Sequence, residues 1–283
     1  MNVLVTGTKG MIGSQLVKGL IDAGHTVIGI DRTADGCGGD KYQHYECDLA
    51  DRDKLKKIVN SCNPDRIIHL AALAHTKDET DLSWERYKLA NVDCSKNVFC
   101  VAGEKRVLYI STIDVYGFYD GKKPLNSSSE IHPVSNYGIS KALAEKECRK
   151  LPAYSIFRLS PVYTDDVKRD IQKRYYLKYP SVAYQIGKGS QYEILNIKKA
   201  VKAMIDWCEE KIANDIRIIK DDKPMWTPEV IEKEKKAGRA RIVLKFPRWM
   251  VNIGYVVLKT IFGENEKIYL LNKAVHPLIT ETE

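Results

Sequence analysis

The sequence predicts an α/β protein, a doubly wound parallel sheet with a smaller lobe built from the second half of the chain. Three observations carry this. Short apolar strands alternate with amphipathic helical stretches over the first 160 residues, the pattern that builds a parallel sheet through right-handed crossovers. A glycine-rich turn, Thr6-Gly7-Thr8-Lys9-Gly10-Met11-Ile12-Gly13, joins the first strand to the first helix. After Pro161 the alternation loosens.

Residues 2–6 are a short apolar run and read as the first strand. Residues 11–23 place Ile12, Leu16, Val17 and Leu20 at helical spacing. Strands follow at 26–30 and, more weakly, at 42–47, then a short helix at 51–60. Residues 66–71 read as a strand, 84–103 as one long helix, 106–111 as a strand, 137–150 as a helix and 154–159 as a strand. Ligands of such folds sit at the carboxyl ends of the strands. Beyond Pro161, residues 165–179 are charged and rich in tyrosine. A clear helix is expected at 197–210, packing back on the sheet. A polar helix-prone stretch spans 224–241 and an apolar helix 246–262. The division expected is 1–165 for the sheet domain and 166–283 mostly for the lobe.

Composition narrows the class. The 283 residues are 44% hydrophobic and 29% charged, a globular balance that excludes disordered and collagen-like chains. No uncharged apolar run is long enough to span a bilayer. The amino terminus lacks a basic signal region, and seven cysteines without a C-x-x-C pair make no disulfide framework. A reducing, cytoplasmic setting with buried thiols and no bound metal is the expectation. Residues 1–150 hold 21 basic and 20 acidic side chains, whereas residues 151–283 hold 24 and 17. The basic second half points to an anionic ligand there or to a solvated charged surface.

The glycine turn carries the first functional reading. Gly7, Gly10 and Gly13 let the backbone turn tightly, approach a pyrophosphate and pack helix on strand. The helix start at Met11 and Ile12 offers N–H groups to the phosphates. Asp31 ends the second strand, 18 residues after Gly13. A carboxylate there accepts both adenosine ribose hydroxyls and repels a 2′-phosphate, which favours NAD over NADP, although Arg32 follows directly. Asp48 and Leu49, after the third strand, are placed to meet the adenine.

Tyr137 and Lys141 stand four residues apart, on one helix face. An ammonium beside a phenol favours the phenolate, which suits proton transfer near neutral pH. Thr112, in Ser111-Thr112-Ile113-Asp114-Val115-Tyr116-Gly117 after a strand, is placed to hydrogen-bond the oxygen that Tyr137 protonates.

These motifs, with His69-Leu70-Ala71-Ala72 and Asn91-Val92 in the same order, resemble the extended short-chain dehydrogenase/reductases. The subgroup is the NAD-dependent epimerase/dehydratase family acting on nucleotide sugars. The resemblance covers residues 1–165 and fades by 205. It implies a Rossmann domain followed by a small carboxyl-terminal substrate lobe. It implies that Thr112, Tyr137 and Lys141 are catalytic, that Ala71 and Ala72 lie along the NAD, and that Asn91 supports the central helix. Helices 84–103 and 137–150 would pair across a homodimer axis. The implied reaction is epimerisation or 4-keto reduction of a nucleotide-activated hexose, in surface polysaccharide synthesis.

Departures from the family pattern bear on substrate. Ile113 replaces the first carboxylate of the Asp-Glu pair used for 4,6-dehydration. Glu193, in Gly187-Lys188-Gly189-Ser190-Gln191-Tyr192-Glu193, stands where an arginine would hold the nucleotide diphosphate. Arg169, Lys173 and Arg174 are candidate replacements, and His75 a candidate pocket residue. Lys233 to Arg248 holds seven basic residues ahead of an apolar stretch with Trp249. The expectation is a helix packed into the lobe with its basic residues solvated. The alternative is weak membrane-surface association, suiting a lipid-diphosphate-linked sugar. A dinucleotide-binding redox sensor without turnover is the alternative from another class. Nucleic-acid binding has no supporting module.

Overall fold

Seven parallel strands form the main sheet of the computed structural model, which describes residues 1–34, 39–74, 83–165, 169–210 and 214–281. They are β1 (Asn2–Thr6), β2 (Thr26–Asp31), β3 (Tyr42–Glu46), β4 (Arg66–His69), β5 (Arg106–Thr112), β6 (Tyr154–Leu159) and a last strand Asp215–Ile219. Their spatial order is Asp215–Ile219, β6, β5, β4, β1, β2, β3. The order reverses between β1 and β4, where doubly wound sheets leave a crevice at the strands' carboxyl ends. Helices α1 (Met11–Asp22) and α2 (Arg52–Cys62) follow β1 and β3.

The central strands are buried because they are covered on both faces: Val3, Val5, Ile67, Ile68, Val107 and Leu108 are at or near zero exposure. β3 (Tyr-Gln-His-Tyr-Glu) is polar because it is the sheet's edge. The strand Asp215–Ile219, which the periodicity of the sequence did not reveal, extends the opposite edge beside β6. Helix Ile197–Glu209 packs against α1, where Gly19 leaves room for Val201 and Ile205.

One helix departs from expectation. Residues 84–102 are not a uniform α-helix: α-helical Trp84–Tyr87 and Cys94–Ala102 flank a π-helical turn, Lys88–Asp93. Inserted π turns are frequent at functional sites, and Asn91 lies inside this one. The cysteines also depart in part. Cys47, Cys94, Cys148 and Cys208 are buried, but Cys62 is half-buried and Cys100 exposed.

The chain divides into two compact units. The first comprises 1–115, 136–159 and 197–219; the second comprises 116–135, 160–196 and 220–283. The second unit therefore draws on three stretches of chain. It contains a three-stranded sheet ordered Ile242–Phe246, Val182–Ile186, Tyr176–Lys178. Helix Thr227–Lys236, shorter than its polar pattern suggested, joins a core of Ile171, Tyr175, Tyr176, Ala183, Tyr192 and Ile231. Helices Arg248–Phe262 and Glu266–Val275 pack on Phe118 through Val251, Tyr255, Ile268 and Val275. Buried Asn272 fixes this cluster. It accepts from Tyr119 N–H at 3.1 Å and donates to Tyr119 O and Tyr255 Oη, each at 3.0 Å.

The outer side of helix Arg248–Phe262 corrects the expectation of a helix packed into its lobe. Trp249, Ile253, Val256, Val257 and Ile261 are exposed. Only the inner face is packed.

Candidate active site

The carboxyl end of β1 sets the first half of the site. Gly7 turns at φ +77°, donating to Ile30 O at 2.8 Å, and Gly10 N–H donates to Gly7 O at 3.1 Å. A Cβ on Gly7 would lie 2.8 Å from Ala71 Cα, and one on Gly13 2.1 Å from Gly7 O. Backbone atoms cannot yield, so both positions require glycine. Gly10 is the residue before α1, with extended backbone. The helix starts at Met11 with no side-chain cap and no acidic residue in its first turn. Its leading N–H groups and positive dipole end are thus presented to an anion, and the cradle fits a dinucleotide pyrophosphate.

Asp31 closes β2 beside this turn. Lys9 N–H donates to its Oδ2 at 3.0 Å and Thr33 N–H to its Oδ1 at 3.2 Å. The carboxylate thereby ties the glycine turn to β2 while keeping acceptor capacity for ribose hydroxyls. Arg32 is exposed. β3 ends alongside, with Cys47 N–H donating to Asp31 O at 2.8 Å. Asp48 is exposed and accepts Ala50 N–H at 2.9 Å. The Leu49 side chain is buried in the core, so only its backbone is available to a base.

Beneath the site runs a buried hydrogen-bond chain that sequence reasoning missed. Ser95 Oγ donates to Asn91 O at 2.6 Å, so its contact with His69 Nε2 at 2.8 Å is one it accepts. His69 therefore carries its proton on Nε2, and Nδ1 accepts from Thr6 Oγ1 at 2.7 Å. Thr6 Oγ1 in turn accepts Ala71 N–H at 3.2 Å. Burial, with the nearby Lys141 charge, pushes His69 down to about 3, so it stays neutral. The chain locks β1, β4 and the π turn together, and it positions Ala71 against Gly7. Asn91 is fully engaged. It accepts Leu73 N–H at 2.6 Å and donates to Leu73 O and Ser140 Oγ, each at 2.9 Å. It positions the site's walls. Ala72 is exposed just beyond Ala71, and His75 lies outside the described residues.

The candidate catalytic residues lie at the end of β5 and on the helix that follows it. Thr112 closes β5 and its Oγ1 accepts Asp114 N–H at 3.2 Å. Tyr137 and Lys141 lie on successive turns of helix Asn136–Cys148. Tyr137 is half-buried, its ring centroid 6.3 Å from that of Tyr87. Lys141 is only 2% exposed, its Nζ 4.4 Å from the centroid of the Tyr109 ring. Burial pushes its ammonium down to about 7, against the opposing pull of Glu145. Glu145, one turn further on, accepts Arg158 Nε at 3.1 Å and Nη2 at 2.8 Å, and Ser111 Oγ at 2.6 Å. The i, i+4 spacing of Tyr137 and Lys141 was visible in the sequence; the engagement of Glu145 with Arg158 from β6 was not.

The substrate candidates of the second unit read differently. Glu193 is engaged within the second unit. It is buried, with Oε1 taking Lys220 Nζ at 2.9 Å, Thr280 N–H at 3.0 Å and Thr280 Oγ1 at 3.2 Å. A carboxylate here clasps the chain's own end. Arg174 stacks on the Tyr192 ring at 4.8 Å. Lys173 is exposed. The Arg169 side chain lies outside the described set.

Lys141 supplies a test of this environment. Its folded value, about 7, lies below the ordinary 10.5. In that window the unfolded chain binds a proton that the folded chain does not, so stability falls as pH drops through it. NMR of the labelled Lys141 side chain in cofactor-free protein should show a midpoint near 7. A midpoint in the ordinary lysine range contradicts the buried setting.

Comparison with known proteins identifies the family. The model of the NAD dependent epimerase/dehydratase family matches residues 3–208. A UDP-glucose 4-epimerase of Yersinia enterocolitica is 32% identical over 178 residues, 56% of this chain and 52% of the relative. Protein CapI of Staphylococcus aureus is 30% identical over 160 residues, 50% of this chain and 46% of the relative. The chain thus spans about half the length of the curated relatives it matches. Among solved structures, a short-chain dehydrogenase/reductase superfamily protein from Agrobacterium tumefaciens with bound NAD superposes with a TM-score of 0.72 at 20% identity, covering 87% of this chain and 86% of that one. MoeE5, in complex with UDP-glucuronic acid and NAD, superposes with a TM-score of 0.69 at 20% identity, covering 100% of this chain and 95% of that one. The chain belongs to the NAD dependent epimerase/dehydratase family.

Proposed function

We propose that the protein is an NAD-dependent epimerase of a nucleotide-activated hexose. What supports the reading is that the glycine turn with Asp31 and the end of β5 at Thr112 lie at the carboxyl ends of strands in one parallel sheet, while Tyr137 and Lys141 lie on the helix that Glu145 ties to β5 and β6. Gly7, Gly10, Gly13 and the start of α1 would hold the pyrophosphate. Asp31 would hold the adenosine ribose and exclude a 2′-phosphate, hence NAD. When bound, NAD supplies a reversible hydride acceptor.

Tyr137 Oη takes the proton from the reacting sugar hydroxyl and later returns it to the keto oxygen. Thr112 Oγ1 hydrogen-bonds that same oxygen and fixes it before Tyr137. Lys141, held under the site, stabilises charge on the phenol oxygen and reaches the nicotinamide ribose. Ile113, buried at 9% exposure, offers no carboxylate for removing water. That disfavours 4,6-dehydration and leaves a reaction that only moves hydride and proton. The 4-keto reductase is the neighbouring reading, separated by whether cofactor is consumed.

The helices 84–102 and 136–148 pack on each other and expose Leu89 and Leu143, at 55% and 39%. In this reading they pair with the same helices of a second copy, burying both leucines. Light scattering should give twice the chain mass, reduced to one chain mass by Leu143→Glu. A monomeric wild type contradicts the pairing.

Tyr137→Phe tests the chemistry. It should lower turnover of the accepted nucleotide sugar by about 10²–10⁴-fold while NAD binding, followed by fluorescence quenching, stays near wild type. Near-normal turnover removes Tyr137 from its role.

A further inference from the structure

Helix Arg248–Phe262 has two apolar faces, and only one is packed. The other carries Trp249, Ile253, Val256, Val257 and Ile261, with Trp249 and Ile261 each 65% exposed. Their spacing of about one helical turn draws a single stripe about 20 Å long. The helix contains no acidic residue. The strand before it, Ile242–Phe246, is an edge strand and exposes Ile242 and Leu244, at 53% and 40%. An apolar surface of this extent on a folded chain marks a docking face.

Charge identifies the occupant. Residues 232–262 contain eight basic side chains, Lys233, Lys235, Lys236, Arg239, Arg241, Lys245, Arg248 and Lys259, against two acidic ones, Glu232 and Glu234. Glu234 is already held by Arg239 at 2.8 Å and Tyr176 at 2.9 Å. Arg248 turns inward, donating to Gly189 O at 2.8 Å and Val275 O at 3.1 Å. Lys233, Lys235, Lys236, Arg241 and Lys245 are exposed. Exposed Ile242 and Leu244 share one face of the strand, Arg241 and Lys245 flank them from the other, and Trp249 follows in the helix. Two such basic faces pressed together would repel, so a symmetric second copy is a poor cover. A helix of 15 residues is too short to span a bilayer.

We infer that strand Ile242–Phe246 and helix Arg248–Phe262 form an in-plane seat on an anionic lipid surface. The apolar stripe enters the boundary between headgroups and acyl chains. The exposed lysines and Arg241 meet lipid phosphates. Trp249, at the start of the stripe, suits the headgroup level.

Vesicle flotation of the full chain tests this. Wild-type protein should float with vesicles of phosphatidylcholine mixed with phosphatidylglycerol, not with phosphatidylcholine alone, and high salt should release it. Ile253→Glu/Ile261→Glu and Arg241→Glu/Lys245→Glu should each reduce the bound fraction about tenfold or more, with unchanged circular dichroism. Tryptophan emission should shift to the blue on binding, and Trp249→Phe should abolish that shift. Absence of wild-type flotation with anionic vesicles overturns the proposal, whether or not the variants fold. So does equal flotation of a folded Ile253→Glu/Ile261→Glu protein. A wild-type oligomer that this variant dissociates, with no lipid binding, assigns the face to a second copy instead.

Discussion

The buried ion pair of Glu145 and Arg158 is the interaction on which the candidate site depends. Both side chains are 1% exposed. Removing one partner of such a pair costs about 3–5 kcal/mol, whereas replacing both by apolar groups is often neutral. The pair's contribution is therefore chiefly geometric. Arg158 comes from β6 and Ser111 from β5, and these two residues face each other in the strand register. Glu145 binds both, so helix Asn136–Cys148 is fixed against two strands at once. Lys141 follows one turn back, Tyr137 two turns back, and Thr112 is the residue after Ser111. One buried carboxylate thus ties down the helix that carries Tyr137 and Lys141 and the strand that ends in Thr112.

The cofactor edge rests on a second constraint, the close approach of β1 and β4. Gly7 can meet Ala71 only without a side chain. His69, neutral and hydrogen-bonded at both nitrogens, carries that junction to Ser95 and the π turn. Asn91 then extends it to Leu73 and Ser140, and Ser140 Oγ reaches Tyr137 O at 2.8 Å. The glycine cradle and helix Asn136–Cys148 are consequently parts of one polar framework. Its unpaired members would be costly, which is a reason for such a network to be rigid.

Local signals in the sequence disclosed most of the first unit. Periodicity located β1, β2, β4, β5 and β6, and the glycine turn located their ligand edge. The π turn was hidden because its residues keep helical composition; only the placement of Asn91 against Leu73 and Ser140 reveals why the helix is wound there. The strand Asp215–Ile219 was missed because a charged, half-exposed edge strand has little apolar period. Glu193 marked a departure from the family pattern, but its use could not be read, since Lys220 and Thr280 are far away in sequence. The same holds for helix Arg248–Phe262. Its composition is apolar all round, and composition does not say which face stays open.

The family match covers residues 116–135 and 160–196 of the second unit and stops short of 220–281. The matching family model ends at 208, and the Glu193 carboxylate, where the family pattern has an arginine, holds Lys220 and Thr280. The central claim, reversible hydride and proton transfer without loss of water, belongs to the first unit. The direct test is incubation with catalytic NAD and a panel of UDP-, GDP- and dTDP-hexoses, with sugars and cofactor followed together by NMR. The account predicts one sugar converted to its epimer with no net change in NAD or NADH. Failure to convert any sugar, or conversion only with stoichiometric NADH oxidation, would contradict it.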